Sequence, residues 1–267
     1  MLSKLESHYL ARCRRSWRPI QRFEGRTGEI VQVDSELTET YATLWQRTRC
    51  VFLQGDAQID PLLHDHTPDA RRGLTVLFRP QPEVAARVAA WLDELAAIEP
   101  AQVFYAPAQL HVTVLSLFTA TSAYAPYFAQ LARYLAVLDA ALSSLPLFTV
   151  AFQGVTASPA AVMIQGFPTD DTLERARTAL RTSLTAAGLG DELDRRYQLT
   201  TAHMTALRLR TPLCASAQFV AQLDQARTID FGVTRVNELL LVENDWYMTP
   251  GVVKVVQRYP LTSTQPV

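Results

Sequence analysis

The chain is short of the residues that several common kinds of site require. Its three cysteines, Cys13, Cys50 and Cys214, are odd in number and far apart. That excludes a disulfide framework or a cysteine knuckle for metal and fits reduced thiols in a cytoplasmic setting. No apolar run approaches a membrane span, and the first residues contain no secretory hydrophobic segment. The 10 glycines form neither a P-loop nor a dinucleotide fingerprint. Charge is balanced, with 25 Lys and Arg against 26 Asp and Glu, so there is no global push toward nucleic acid or membranes. Residues 1–26 depart from this: Lys4, Arg12, Arg14, Arg15, Arg18, Arg22 and Arg26 face only Glu6 and Glu24. The excess reads as a solvated helix face rather than a phosphate-binding stripe. Histidine is rare, with 5 in the chain.

What is present is enough for a sizeable core: 267 residues, 48% of them hydrophobic. Helical spacing runs through Leu2, Leu5, Tyr9 and Cys13, and a second helix follows, capped at Ser35 or Thr38. Residues 62–73 have the composition of a loop. From residue 73 the pattern changes. Strand 73–80, helix 82–98, a strand over 103–118 bent near Pro107, and a long helix within 122–145 come first. A hairpin turning at Ser158 and Pro159, a helix ending at glycine, and a strand near residue 204 follow. The last helix starts at Thr211 and Pro212, and two paired closing strands end the chain. The order reads as a repeat of helix, strand, helix and closing strands. We therefore expect an α+β fold of two lobes related by a pseudo-twofold axis. Two mainly antiparallel sheets flank a central cleft, helices lie outside, and residues 1–72 form a helical N-terminal extension to a domain of residues 73–267.

Two of the five histidines carry the same local pattern. Residues 109–117 read QLHVTVLSL, and 92 positions after His111 the chain reads TAHMTALRLR around His203. In a strand, residues two apart share a face. His111 thus stands with Thr113, and His203 with Thr205. Leu110, Val112, Val114 and Phe118, and likewise Ala202, Met204 and Ala206, take the opposite faces for packing. Simple alternation continues the histidine faces through Leu115 and Leu117, and through Leu207 and Leu209. With 38 Ser and Thr in the chain, two such motifs among five histidines arise by chance in about 1% of sequences of this composition.

His-hydrophobic-Thr-hydrophobic, twice and about ninety residues apart, resembles the two-histidine (2H) phosphoesterase superfamily. That group includes the RNA 2′,3′-cyclic phosphodiesterases, also called 2′-5′ RNA ligases. The likeness spans about residues 73–262. HMTALR matches the second motif, including Arg208, and the stretch from Val236 to Leu261 looks like the family's closing hairpin. HVTVLSLF matches the first motif without the aromatic residue and glycine that often follow it in the family. The resemblance implies hydrolysis of a cyclic or 2′-5′/3′-5′ phosphodiester on an RNA end or a nucleotide, without metal or other cofactor. His111 and His203 would be the acid–base pair, and Thr113 and Thr205 would hold the phosphate. Histidine suits both roles because its ordinary pKa lies near neutrality. Which histidine is acid and which is base stays open. The alternative is a non-catalytic RNA- or nucleotide-binding module that uses the same cleft.

Other candidates are weaker. His64 and His66 have the spacing of a metal pair, but no further ligand lies near them in the sequence. Arg208 lies five positions after His203, so alternation turns it away unless the strand is bulged. Tyr105, Tyr124 and Tyr127 are candidates for stacking a base, as are Phe104, Trp246 and Tyr247.

Overall fold

The computed structural model describes residues 22–24, 30–32, 35–195 and 198–262. The helical spacing through Leu2, Leu5, Tyr9 and Cys13, and the basic residues from Lys4 to Arg18, lie outside them. Two short strands, β1 (Arg22–Glu24) and β2 (Ile30–Gln32), pair with each other. Helix α1 (Ser35–Gln54) and the single turn α2 (Pro61–His64) lead into the main sheet. Then come β3 (Arg72–Phe78), α3 (Pro82–Ile98), β4 (Val103–Phe104), a 3-10 turn (Pro107–Gln109) and β5 (Val112–Thr121). Next are α4 (Ala125–Phe128), α5 (Leu131–Leu142), β6 (Phe148–Ser158), β7 (Ala161–Pro168) and α6 (Thr172–Ala186). Strand β8 (Met204–Arg208), α7 (Ser216–Gln225), β9 (Asp230–Val236), β10 (Glu238–Asn244) and β11 (Lys254–Pro260) complete the chain.

The local reasons are ordinary ones. Helix α3 has Pro82 in its first turn and buries Val84, Val88, Trp91, Leu92 and Leu95 along one stripe. The long helix expected within residues 122–145 is α5, and the chain makes a separate turn at Ala125–Phe128 before it. The last helix begins at Ser216 rather than at Pro212. The carboxylate of Glu99, itself buried, accepts from the amide of Ala215 at its N-terminus and supplies the cap that Thr211 was expected to give.

The strands follow the order β11-β10-β3-β5-β8-β7-β6-β9, with β4 alongside β8. All named pairs within this sheet are antiparallel. The two expected sheets are the two halves of this one order, which meet where β5 and β8 pair through Val112 and Met204 alone. The closing segment is also arranged differently from expectation. What reads as one strand from Phe231 to Asn244 breaks at Asn237, sending β9 to the edge beside β6 and β10 to the other half beside β3. One residue spans that gap, so the sheet curls until its two flanks meet. Leu261 N donates to Asn237 O at 2.8 Å, and Pro146 bridges Thr262 along the same seam. The expected closing hairpin is β10 with β11.

Helices cover the outside: α3 packs on β9, α6 on β5 and α5 on α6. Helix α1 is integral to the core. It lies on β6, Trp45 and Phe52 join the main apolar cluster, and Trp45 Nε1 donates to Asp224 of α7 at 2.9 Å.

Where β5 and β8 diverge, their carbonyls lose ladder partners, and buried carbonyls need replacements. Arg177 of α6, 1% exposed, supplies them. Its guanidinium donates to Val114 O at 3.1 Å, Thr113 O at 3.0 Å and Thr201 O at 2.8 Å. Burial pushes its pKa down to about 10, so it remains charged at neutral pH. Arg177→Leu would leave three buried carbonyls unpaired at about 1–3 kcal/mol each. Urea unfolding of this variant is expected to show a loss of at least about 3 kcal/mol; a loss below about 1 kcal/mol would mean that the guanidinium does not join the halves.

Candidate active site

The Val112–Met204 pair determines what faces what. In antiparallel register, His111 stands opposite Thr205 and Thr113 opposite His203. The result is a square of two imidazoles and two hydroxyls, with the histidines on one diagonal. Val112 and Met204 are fully buried behind it.

Both strands then break alternation in the same way. Against β7, Met163 pairs with Thr205 and Val162 with Leu207, so Ala206 is an extra residue in β8. Against β3, Leu77 pairs with Thr113 and Val76 with Leu115, so Val114 is extra in β5. A bulge of this kind shifts the following side chains by one face. Arg208 therefore joins Thr205 on the histidine face, and Ser116 joins Thr113. Leu207 and Leu209, expected on that face, are instead fully buried. The bulge is held by Tyr105, whose amide donates to Ala206 O at 2.9 Å.

Each imidazole is held through Nδ1 by the residue two positions before it. His111 Nδ1 lies 2.7 Å from the Gln109 carbonyl oxygen, and His203 Nδ1 lies 2.7 Å from Thr201 Oγ1. A carbonyl only accepts, so His111 carries its hydrogen on Nδ1 and presents Nε2 as the working nitrogen. Burial pushes both pKa values down to about 4. At His111 the Gln109 carbonyl opposes this, whereas Arg79 and Arg208 add to it. At His203 nothing opposes it: Arg177, His111 and Arg208 all act in the same direction as burial. Both rings are neutral at pH 7 and close enough to feel each other's charge.

A cavity opens to the Thr113–His203 side of the square. It is lined by Thr113, Leu115, Ser116 and Thr119 from β5, by Asp194, Arg195, Leu199, Thr201 and His203 from the approach to β8, and by Trp246. Asp194 is paired with Arg181 at 2.6 Å, and Arg195 with Glu192 at 2.8 Å. On the opposite side Arg208 donates from Nε to Tyr105 Oη at 2.8 Å. Its guanidinium lies 5.6 Å from the Trp246 ring centroid and 5.9 Å from that of Tyr247. Arg71 approaches the same rings at 5.3 and 5.8 Å, within cation–π range.

Of the residues singled out from sequence, the structure gathers His111, Thr113, His203, Thr205 and Arg208. Tyr105 is buried and orients Arg208 rather than presenting a ring. Tyr127 stacks on Phe118 at 4.7 Å and donates to Glu192, and Tyr124 packs edge-on to Phe128. Neither lines the cavity. His64 Nδ1 sits 3.3 Å from the Arg210 carbonyl. Among the described residues no three His, Cys, Asp or Glu side chains gather as a metal site. Gln109, Ser116, Thr201 and Arg177 were not anticipated. The first and third had a signal in spacing alone, since each stands two positions before its histidine.

A curled antiparallel sheet with two histidine–threonine pairs at its centre defines a two-histidine phosphoesterase fold. Residues 80–245 match the model of the 2′-5′ RNA ligase superfamily, and the chain belongs to that family. Among solved structures, TT0787 of Thermus thermophilus is similar at 19% identity and a TM-score of 0.52, covering 72% of this chain and 100% of that one. LigT of E. coli, solved with ATP, is similar at 16% identity and a TM-score of 0.46, covering 72% and 99%. A phosphoesterase is similar at 15% identity and a TM-score of 0.49, covering 73% and 100%. No curated protein is matched in sequence. No helix among the described residues is long and apolar enough to cross a membrane.

Two measurements test this geometry. Because the folded imidazoles titrate near 4 and unfolded ones near 6.5, the unfolded chain binds more protons between these values. Stability is therefore full above pH 6.5 and falls as pH drops toward 4. In the His111→Gln/His203→Gln double variant the urea midpoint should fall less over that window; an unchanged pH slope would refute the shifts. Arg208→Met should weaken binding of a phosphate-bearing ligand by roughly 10- to 150-fold, as one charge-assisted hydrogen bond is worth about 1.5–3 kcal/mol. Equal affinity by calorimetry would mean that the bulge does not turn Arg208 to ligand.

Proposed function

We propose that the chain is a metal-independent phosphodiesterase that opens a 2′,3′-cyclic phosphate on an RNA end or a nucleotide. The observation that carries this reading is the square of His111, Thr205, Thr113 and His203, with both Nδ1 atoms already engaged. Nε2 is then the nitrogen that each ring offers to a bound phosphodiester.

The phosphate occupies the square, with Thr113 and Thr205 hydroxyls donating to its non-bridging oxygens. The nucleoside extends into the cavity between Thr113 and Trp246. Water attacks phosphorus while one imidazole takes its proton. The P–O bond to one ribose oxygen breaks in line, and the other imidazole gives that oxygen a proton. The product is a ribose phosphate monoester with a free neighbouring hydroxyl. The surroundings of the two rings differ: the Gln109 carbonyl favours a proton on His111 against Arg79 and Arg208, whereas Arg177 and Arg208 both disfavour one on His203. The bound anion raises both pKa values and permits the protonated partner to exist near neutrality.

Incubation with 2′,3′-cyclic AMP, a 2′-5′ linked dinucleotide and a cyclic dinucleotide, in EDTA, tests the proposal. Turnover of the first is expected, with loss of about 10²–10⁴-fold on replacing either histidine by alanine. The kcat/KM profile should be bell-shaped with its maximum below pH 6.5, and kcat should peak at higher pH. Turnover by His203→Ala at the parental rate would overturn the assignment. Tight binding of all three without turnover would favour a nucleotide-binding module.

A further inference from the structure

We propose that Tyr41, on helix α1, is a positioning residue for His203. The helix precedes residues 80–245, which match the family, so this device belongs to a part of the chain that the family model does not span. Its kinetic consequence rests on the two-histidine reading above; its structural consequence does not.

The Tyr41 side chain is fully enclosed, 1% exposed, with its ring edge-on to Phe167 at 5.5 Å. Its hydroxyl donates to Gly166 O at 3.1 Å and accepts from Gly166 N at 3.3 Å and Ala202 N at 3.2 Å. The two backbones can come this close because residue 166 has no side chain: a Cβ there would lie 2.0 Å from Ala202 O. Ala202 is the residue between Thr201 and His203, the pair joined by the 2.7 Å bond to Nδ1. Around Ala202, Arg177 grips the Thr201 carbonyl and Tyr41 the following amide. No ladder pair reaches this stretch, because β8 begins at Met204. Tyr41 thus does for the approach to His203 what a neighbouring strand would otherwise do. His111 has no counterpart: its Nδ1 is held by the carbonyl of the 3-10 turn. The phenol carries no role as an acid or base, since burial raises its pKa.

Tyr41→Phe keeps the ring and removes only the hydroxyl. On the full-length protein without substrate, imidazole ¹⁵N spectra recorded across pH should show the pKa of His203 rising toward its ordinary value while that of His111 stays in place. With a cyclic nucleotide that the parent turns over, kcat should fall about tenfold, the cost of one buried hydrogen bond, with KM within about twofold. Thr201→Val should reproduce both effects and Thr201→Ser should restore them. Unchanged His203 resonances in Tyr41→Phe would overturn the proposal. Equal shifts of both histidines, with a lowered melting temperature, would do so as well by marking Tyr41 as structural only. The spectra report on Tyr41 even where no cyclic nucleotide is turned over, so the two readings fail separately.

Discussion

Two halves of a sheet can share one active face only if something holds them where their strands part. Here β5 and β8 run side by side for one residue pair and then separate, which opens a cleft but exposes backbone carbonyls inside the protein. The buried guanidinium of Arg177 resolves that conflict by bonding to carbonyls on both sides. Arginine suits the task because its planar fork reaches several acceptors at once and keeps its charge when buried. The same charge then acts on the chemistry, since it disfavours a proton on His203. The interaction that holds the halves together is therefore also one that makes them chemically unequal.

That inequality sets apart the two halves of a nearly symmetric site. The pseudo-twofold relation places threonine two positions after each histidine and a bulge in each strand. It breaks at the supports: a carbonyl at Gln109, a hydroxyl at Thr201, a serine at 116 against an arginine at 208. Only the second strand has a buried cation and a tyrosine behind it. Low pKa values for both imidazoles keep them neutral at pH 7, so the cleft does not carry two repelling charges into the core.

Much of this was legible in sequence for a definable reason. The histidine–threonine pairs and the helix over residues 82–98 depend on periods of 2 and 3.6, which a single sequence records. Features that depend on contacts between distant segments were not recorded. The extra residue at Ala206 is an unremarkable alanine, and it becomes a bulge only through its register with β7. Arg177 sits three positions after Glu174 and reads as a surface pair, although that pair is long at 3.8 Å and the guanidinium turns inward. Tyr41 gives no sign that its partner lies 125 residues away. The break at Asn237 was missed because both strands it separates are apolar, so composition runs through it without a change.

Asn237 also fixes how the two halves sit. The halves are tied by the ladder pair at Val112 and Met204, and again at the seam where Asn237 alone carries the chain from β9 to β10. Between these two ties the guanidinium of Arg177 adds a third and the packing of α3 on β9 a fourth, so the distance across the cleft is set by the backbone on more than one side of it.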